Sequence, residues 1–112
     1  MSDHKCLPCE DPNLRPLRLD IIEQHLNDTP NWILSEEGKS ISRKYAFADF
    51  AEAMKFVNQA AEIAEDEGHH PDIFVHYNEV VFTLFTHAIG GLSENDFIVA
   101  KRINGIETGV IK

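Results

Sequence analysis

Apolar residues recur along this chain with two alternating periods. Leu19, Ile22 and Leu26 fall three and four apart and predict a short helix from Arg18 to Asn27. Asn27-Asp28-Thr29-Pro30 ends it. Trp32-Ile33-Leu34 reads as a strand, and Glu36-Glu37-Gly38-Lys39 as a turn in which Gly38 is free to take positive φ. Ser40 to Phe47 alternates, with Ile41, Arg43, Tyr45 and Phe47 on one face and Ser42, Lys44 and Ala46 on the other. It predicts a second strand, hairpin-paired with the first. A longer helix follows from about Asp49 to Glu67, with Phe50, Met54, Val57, Ala61 and Ala64 as its apolar stripe and Gly68 as its C-cap. Ile73 to Tyr77 and Val80 to His87 are β-branched and aromatic strands joined at Asn78-Glu79, where Asn78 tolerates the left-handed backbone of a tight hairpin. Along the last strand Val80, Phe82, Leu84 and Thr86 form the core face, which leaves Val81, Thr83, Phe85 and His87 on the other. Gly90-Gly91 breaks the chain. A third helix starts near Ser93, with Phe97, Ala100, Lys101 and Asn104 stepping round one side and Leu92, Ile98 and Ile103 adding apolar bulk.

The order helix, two strands, helix, two strands, helix predicts an α+β two-layer sandwich. Its four-stranded antiparallel sheet would carry three helices on one face (α-β-β-α-β-β-α). Residues 1–16 are polar and aperiodic and read as a loosely held N-terminal arm, leaving residues 17–112 as a single domain. A chain of 112 residues suffices for one core and not two. The net charge of −9 and the absence of a basic stripe along the sequence argue against direct nucleic-acid binding. No apolar run approaches the roughly 18 residues that span a bilayer, and no signal or transit segment is visible, so a cytoplasmic location is expected. Cys6 and Cys9 have Cys-x-x-Cys spacing, but they sit in the arm and not between a strand and a helix. With His4 they give three ligands where a structural zinc site usually takes about four, so the pair is expected to be idle.

The chemistry concentrates between Glu65 and Asp96. Four of the six histidines lie there within nineteen residues, and three of them, His69, His70 and His87, stand out, accompanied by the two acids and Tyr77. Imidazole alone exchanges protons near neutral pH at its ordinary pKa, and a histidine cluster with carboxylates is what proton transfer needs. Pro71 disfavours helical backbone at His70, so the neighbouring rings should point apart. Alternatives are specific. Ser93-Glu94-Asn95-Asp96 has capping-box spacing, so Asp96 has a structural reading. Glu65 shares a helix surface with Glu62, Asp66 and Glu67 and reads equally as a solvated face. His4, His25 and His76 carry no signal. Metal binding is disfavoured, because adjacent histidines rarely share one ion and His-Glu-x-x-His is absent.

Taken together, Glu65, His69-His70-Pro71, Tyr77, His87 and Asp96 resemble the signature of the pterin-4a-carbinolamine dehydratases. Trp32, the stretch Arg43 to Phe50, Ala53, Phe56 and the segment Gly90 to Phe97 are similar to the family as well, so the likeness covers roughly residues 19–103. One departure is Ile73, where many members carry Trp. The resemblance implies the same four-stranded sheet with three helices. It implies dehydration of 4a-hydroxytetrahydropterin to quinonoid dihydropterin, a lyase reaction that recycles the cofactor of aromatic amino acid hydroxylases. No metal or cofactor is implied, the pterin being the substrate. It gives His69 and His87 as acid and base in undetermined order and His70 as the group that binds and orients the pterin. Pro71, Thr86, Ala88 and Ile89 would line the pocket, with Asp96 and Glu65 in support. It also implies a homo-dimer or homo-tetramer that hides Val81 and Phe85, and a functional link to phenylalanine hydroxylase. Other relatives act as dimerisation cofactors of a homeodomain transcription factor or as assembly factors with degenerate histidines, and a different pterin substrate is a third alternative. The intact histidines here favour catalysis.

Overall fold

The computed structural model describes residues 15–106, so Cys6, Cys9, His4 and all but the end of the expected arm lie outside the described residues. Eight elements follow one another: α1 (Leu19–Asp28), β1 (Ile33–Leu34), β2 (Ile41–Ala46), α2 (Phe50–Glu67), β3 (Asp72–His76), β4 (Glu79–Leu84), a 3-10 turn (His87–Ile89) and α3 (Glu94–Asn104). The two hairpins join through β2 and β4, giving one antiparallel sheet in the order β1-β2-β4-β3. The predicted two-layer α+β architecture is therefore the observed one. Ile41, Tyr45, Phe47, Val80, Phe82 and Leu84 are buried, as the alternation along β2 and β4 requires.

Four local readings change. The first is the buried stripe of α2, which runs through Ala53, Phe56, Ala60, Ala64 and Glu67, leaving Phe50 51% exposed. Only Ala64 belongs to the stripe expected from side-chain bulk. The alanines let the helix backbone approach the sheet, and Phe56 fills the space between them. Its ring lies 4.5 Å from that of Tyr45, 5.2 Å from Phe47 and 5.8 Å from Phe82. Area buried by one central aromatic outweighs a longer row of aliphatics at the margin. The helix ends are as expected: the Asp49 side chain accepts from the Glu52 N–H at 2.9 Å, and Gly68 takes φ 68°.

The second change is at the β3–β4 turn. Tyr77 is no part of the strand; it takes φ 54° in the turn, the role expected of Asn78. Asn78 is instead tied to the end of β2, donating from Nδ2 to the Phe47 carbonyl at 2.8 Å and accepting from the Phe47 N–H at 2.8 Å. Left-handed backbone costs a non-glycine residue about 1–2 kcal/mol, and two hydrogen bonds at the next residue offset it. The third is β4, which stops at Leu84, so His87 opens the 3-10 turn and does not end a strand. Thr86 still keeps the core-face phase and is fully buried.

The fourth is Asn104, expected only as part of a helix side. Its Oδ1 accepts from Trp32 Nε1 at 2.8 Å, Arg43 at 2.5 Å and the Tyr45 hydroxyl at 3.4 Å, while its Nδ2 donates to the Pro30 carbonyl at 3.1 Å. The Arg43 guanidinium also lies 4.1 Å over the Tyr45 ring. Burial pushes the Tyr45 hydroxyl above its usual pKa, against the opposing pull of Arg43, which keeps it a donor. One amide thereby pins the end of α3 to β2, to Trp32 just ahead of β1 and to the turn at Pro30. Asn104→Ala strands the indole N–H of the buried Trp32 and should lower unfolding stability by about 1–3 kcal/mol, read from urea denaturation. An unchanged midpoint would show that this junction carries no stability.

Candidate active site

His69 sits one residue beyond the left-handed Gly68, and its backbone N–H still bonds the Ala64 carbonyl at 3.1 Å. Its ring is therefore aimed by the end of α2. It is 4% exposed, and Nε2 lies 2.6 Å from Asp96 Oδ1. Asp96 is the third residue of α3 and is fully buried. Its Oδ2 accepts from the Ser93 N–H at 3.0 Å, closing the capping box, and from the Thr86 hydroxyl at 2.8 Å. The Ser93 hydroxyl lies 2.7 Å from that of Thr86 and accepts from the Asn95 N–H at 3.2 Å. Both readings of Asp96 therefore hold at once: it caps α3 and it holds an imidazole. Among the described residues no buried side-chain nitrogen or oxygen lacks a partner.

His70 turns the other way, as Pro71 requires. Its ring is exposed, and Nε2 lies 2.5 Å from Glu65 Oε2, itself well solvated on the surface of α2. The two adjacent histidines thus take separate carboxylates, one in the core and one in water. His87 is exposed at the start of the 3-10 turn, its ring edge-on to Phe85 at 4.7 Å between centroids. Ala88 is exposed beside it, and Ile89 and Pro71 are half-buried. The turn hangs from a stem in which the Thr86 N–H donates to the Gly91 carbonyl at 2.9 Å.

The register places these segments at one end of the sheet. Asp72 pairs with Thr83, so the chain entering β3 and the chain leaving β4 run side by side. Asp96 holds His69 from the first and Thr86 from the second, and His87 directly follows Thr86. His25 and His76 stay apart. His76 is exposed at the far end of β3, and His25 stacks on Phe97 at 4.9 Å. A separate cleft of about 430 Å³ between α1 and α3 is lined by His25, Asp28, Glu94, Phe97, Ile98 and Lys101 among others, and none of the seven signature residues reaches it. No group of three or more His, Cys, Asp and Glu side chains comes together as metal ligands among the described residues.

The family resemblance made Thr86 only part of the pocket lining, and Ser93 was expected only as the cap. The missed signal is a hydroxyl in an otherwise apolar row, Val80, Phe82, Leu84, Thr86. A buried hydroxyl needs a partner, and the acid available is Asp96.

The fold and this end of the sheet define a class: a two-layer α+β sandwich carrying a core His–Asp pair beside a solvent-facing His–Glu pair. A family model described as pterin 4 alpha carbinolamine dehydratase matches residues 15–106, all the described chain, and the protein belongs to that family. A relative from Xanthomonas campestris pv. campestris is 46% identical over 100 residues, spanning 88% of this chain and 82% of its own. Another from Halorhodospira halophila is 38% identical over 106 residues, spanning 95% and 96%. Both carry the pterin-4-alpha-carbinolamine dehydratase name provisionally. The crystal structure of a transcriptional coactivator/pterin dehydratase from Brucella melitensis superposes with a TM-score of 0.77 at 34% identity, over 81% of this chain and 97% of that one. A pterin dehydratase-like RuBisCO assembly factor of the alpha-carboxysome shares the fold at a TM-score of 0.58 and 23% identity, over 70% and 90%.

The two acids should behave differently on removal. Asp96→Ala deletes a cap and leaves buried donors without an acceptor, so it should cost about 3 kcal/mol or more. Glu65→Ala breaks a solvated pair and should change stability by less than about 1 kcal/mol. Urea unfolding of both variants checks this; equal losses would mean that Asp96 is not the anchor of this region.

Proposed function

We propose that the protein dehydrates 4a-hydroxytetrahydropterin to quinonoid dihydropterin, with His69, His70 and His87 as the working groups and no electron transfer in the reaction. The elimination needs a proton delivered to the departing 4a-hydroxyl and a proton withdrawn from a ring nitrogen. In this reading His69 and His87 perform those two transfers. His70 binds and orients the pterin, while Pro71 and the segment from Thr86 through Ala88 to Ile89 line its site. Asp96 positions the His69 ring, and Glu65 the His70 ring.

The observation that carries this reading is the separation of the adjacent imidazoles onto Asp96 and Glu65. It aims one ring from the protein interior and the other from the surface, beside the turn that bears His87. Membership of the dehydratase family supports the same chemistry. Its physiological setting would be the cytoplasm, where it would restore the tetrahydropterin used by aromatic amino acid hydroxylases, phenylalanine hydroxylase among them. Among the described residues no helix is long and apolar enough to cross a membrane.

We also propose self-association through the sheet face away from the helices. Ile33 and Phe74 stand 69% and 63% exposed there, beside the half-buried Val81 and Phe85. The Lys44–Glu79 pair on that face puts both signs of charge on one surface, which suits a second copy. Phe74→Asp should shift the mass measured by light scattering towards the monomer. A monomeric parent protein would remove this part of the proposal.

The catalytic part is tested by stopped-flow turnover of freshly generated 4a-hydroxytetrahydropterin. His69→Ala and His87→Ala should each lower kcat by about 10²–10⁴-fold, the range for loss of one general acid or base, and His70→Ala should raise KM. Parental rates in all three variants would defeat the assignment. An inactive parent would favour a non-catalytic dimerisation or assembly role, or a different pterin as substrate.

A further inference from the structure

The buried hydroxyls behind Asp96 form a chain whose direction follows from counting protons. Asp96 Oδ2 already accepts from the Ser93 backbone N–H and from the Thr86 hydroxyl. Thr86 has one hydroxyl proton, and it is committed to Asp96. The 2.7 Å contact between Thr86 Oγ1 and Ser93 Oγ must then be donated by Ser93. Ser93 Oγ in turn accepts from the Asn95 N–H. Every step points towards Asp96, from Ser93 to Thr86 to the carboxylate. Thr86, Ser93 and Asp96 are each fully buried, so water does not compete for these protons.

This chain solvates a negative carboxylate. Donors of this kind, together with the N-terminal end of α3, meet the charge of a carboxylate that acts only as an acceptor. The remaining partner, His69 Nε2, therefore carries the proton it shares with Asp96 Oδ1 at 2.6 Å. A neutral imidazole holds one N–H, and the second nitrogen is then the acceptor.

We propose that Thr86 is a positioning residue for His69: the Ser93–Thr86–Asp96 chain holds the His69 imidazole as its Nε2–H tautomer and fixes the ring plane. Thr86 acts through Asp96 and does not contact the reacting atoms with its hydroxyl. This places a functional demand on a position that a β-branched apolar residue would otherwise fill with little change in volume. The kinetic half of the proposal rests on the dehydratase reading; the tautomer half does not.

Two measurements test it. Nitrogen-15 NMR of histidine-labelled protein, recorded at a pH where the ring is neutral, should show His69 protonated at Nε2 and not at Nδ1; the opposite tautomer in the parent overturns the proposal without any variant. Thr86→Val should then give a mixture of tautomers and lower kcat about tenfold, the size of one charge-assisted hydrogen bond, with KM within about twofold. Thr86→Ser restores the hydroxyl and should restore both readouts. A folded Thr86→Val protein with the parental tautomer and kcat rules the role out. If the parent lacks dehydratase activity, the catalytic reading fails, and the nitrogen spectra of parent and Thr86→Val still decide the tautomer claim.

Discussion

A carboxylate with no access to water must be met on every side, and that requirement organises this protein. Asp96 is the buried charge on which α2, β4 and α3 converge: His69 reaches it from the end of α2, Thr86 from beyond β4, and Ser93 from the start of α3. Taking such a group from water costs several kcal/mol unless its lone pairs are filled. Three donors fill them here. The segments that supply those donors are fixed relative to one another by electrostatic necessity, and the apolar core beneath them need not supply that precision. Support for the candidate chemistry and the capping of a helix are in this way one arrangement of atoms.

The contrast with Glu65 shows what burial adds. Both acids hold a histidine Nε2 at a short distance, 2.6 Å for Asp96 and 2.5 Å for Glu65. One pair lies in the core and the other in solvent, where screening and side-chain freedom leave little net energy. Pro71 makes the separation possible, because the backbone before a proline avoids the helical region and the second ring cannot follow the first inward.

Most of the architecture was legible along the chain, because alternation in β2 and β4 and the breaks at Gly38, Gly68 and Gly90-Gly91 are local signals. So was the signature of the candidate site, down to the two meanings of Asp96. What escaped was non-local. The buried face of α2 is set by how closely alanines let it approach Phe82 and Tyr45, a property of two elements together. Tyr77 takes the left-handed position because Asn78 is claimed by Phe47, which lies thirty-one residues away. Asn104 draws together Trp32, Arg43 and Tyr45 only once α3 lies across the β1–β2 hairpin. Thr86 was visible as a polar residue in an apolar row, but its partner could be named only after the fold had brought Asp96 to it.

The stem of the turn that bears His87 has a consequence for how such proteins diversify. The Thr86–Gly91 bridge closes a short loop whose base is clamped by backbone and by Asp96, while its tip stands in solvent. Residues 88–90, beyond His87, can therefore be lengthened, shortened or rewritten with the scaffold left intact. New specificities would then arise by exchanging a fingertip on an unchanged hand.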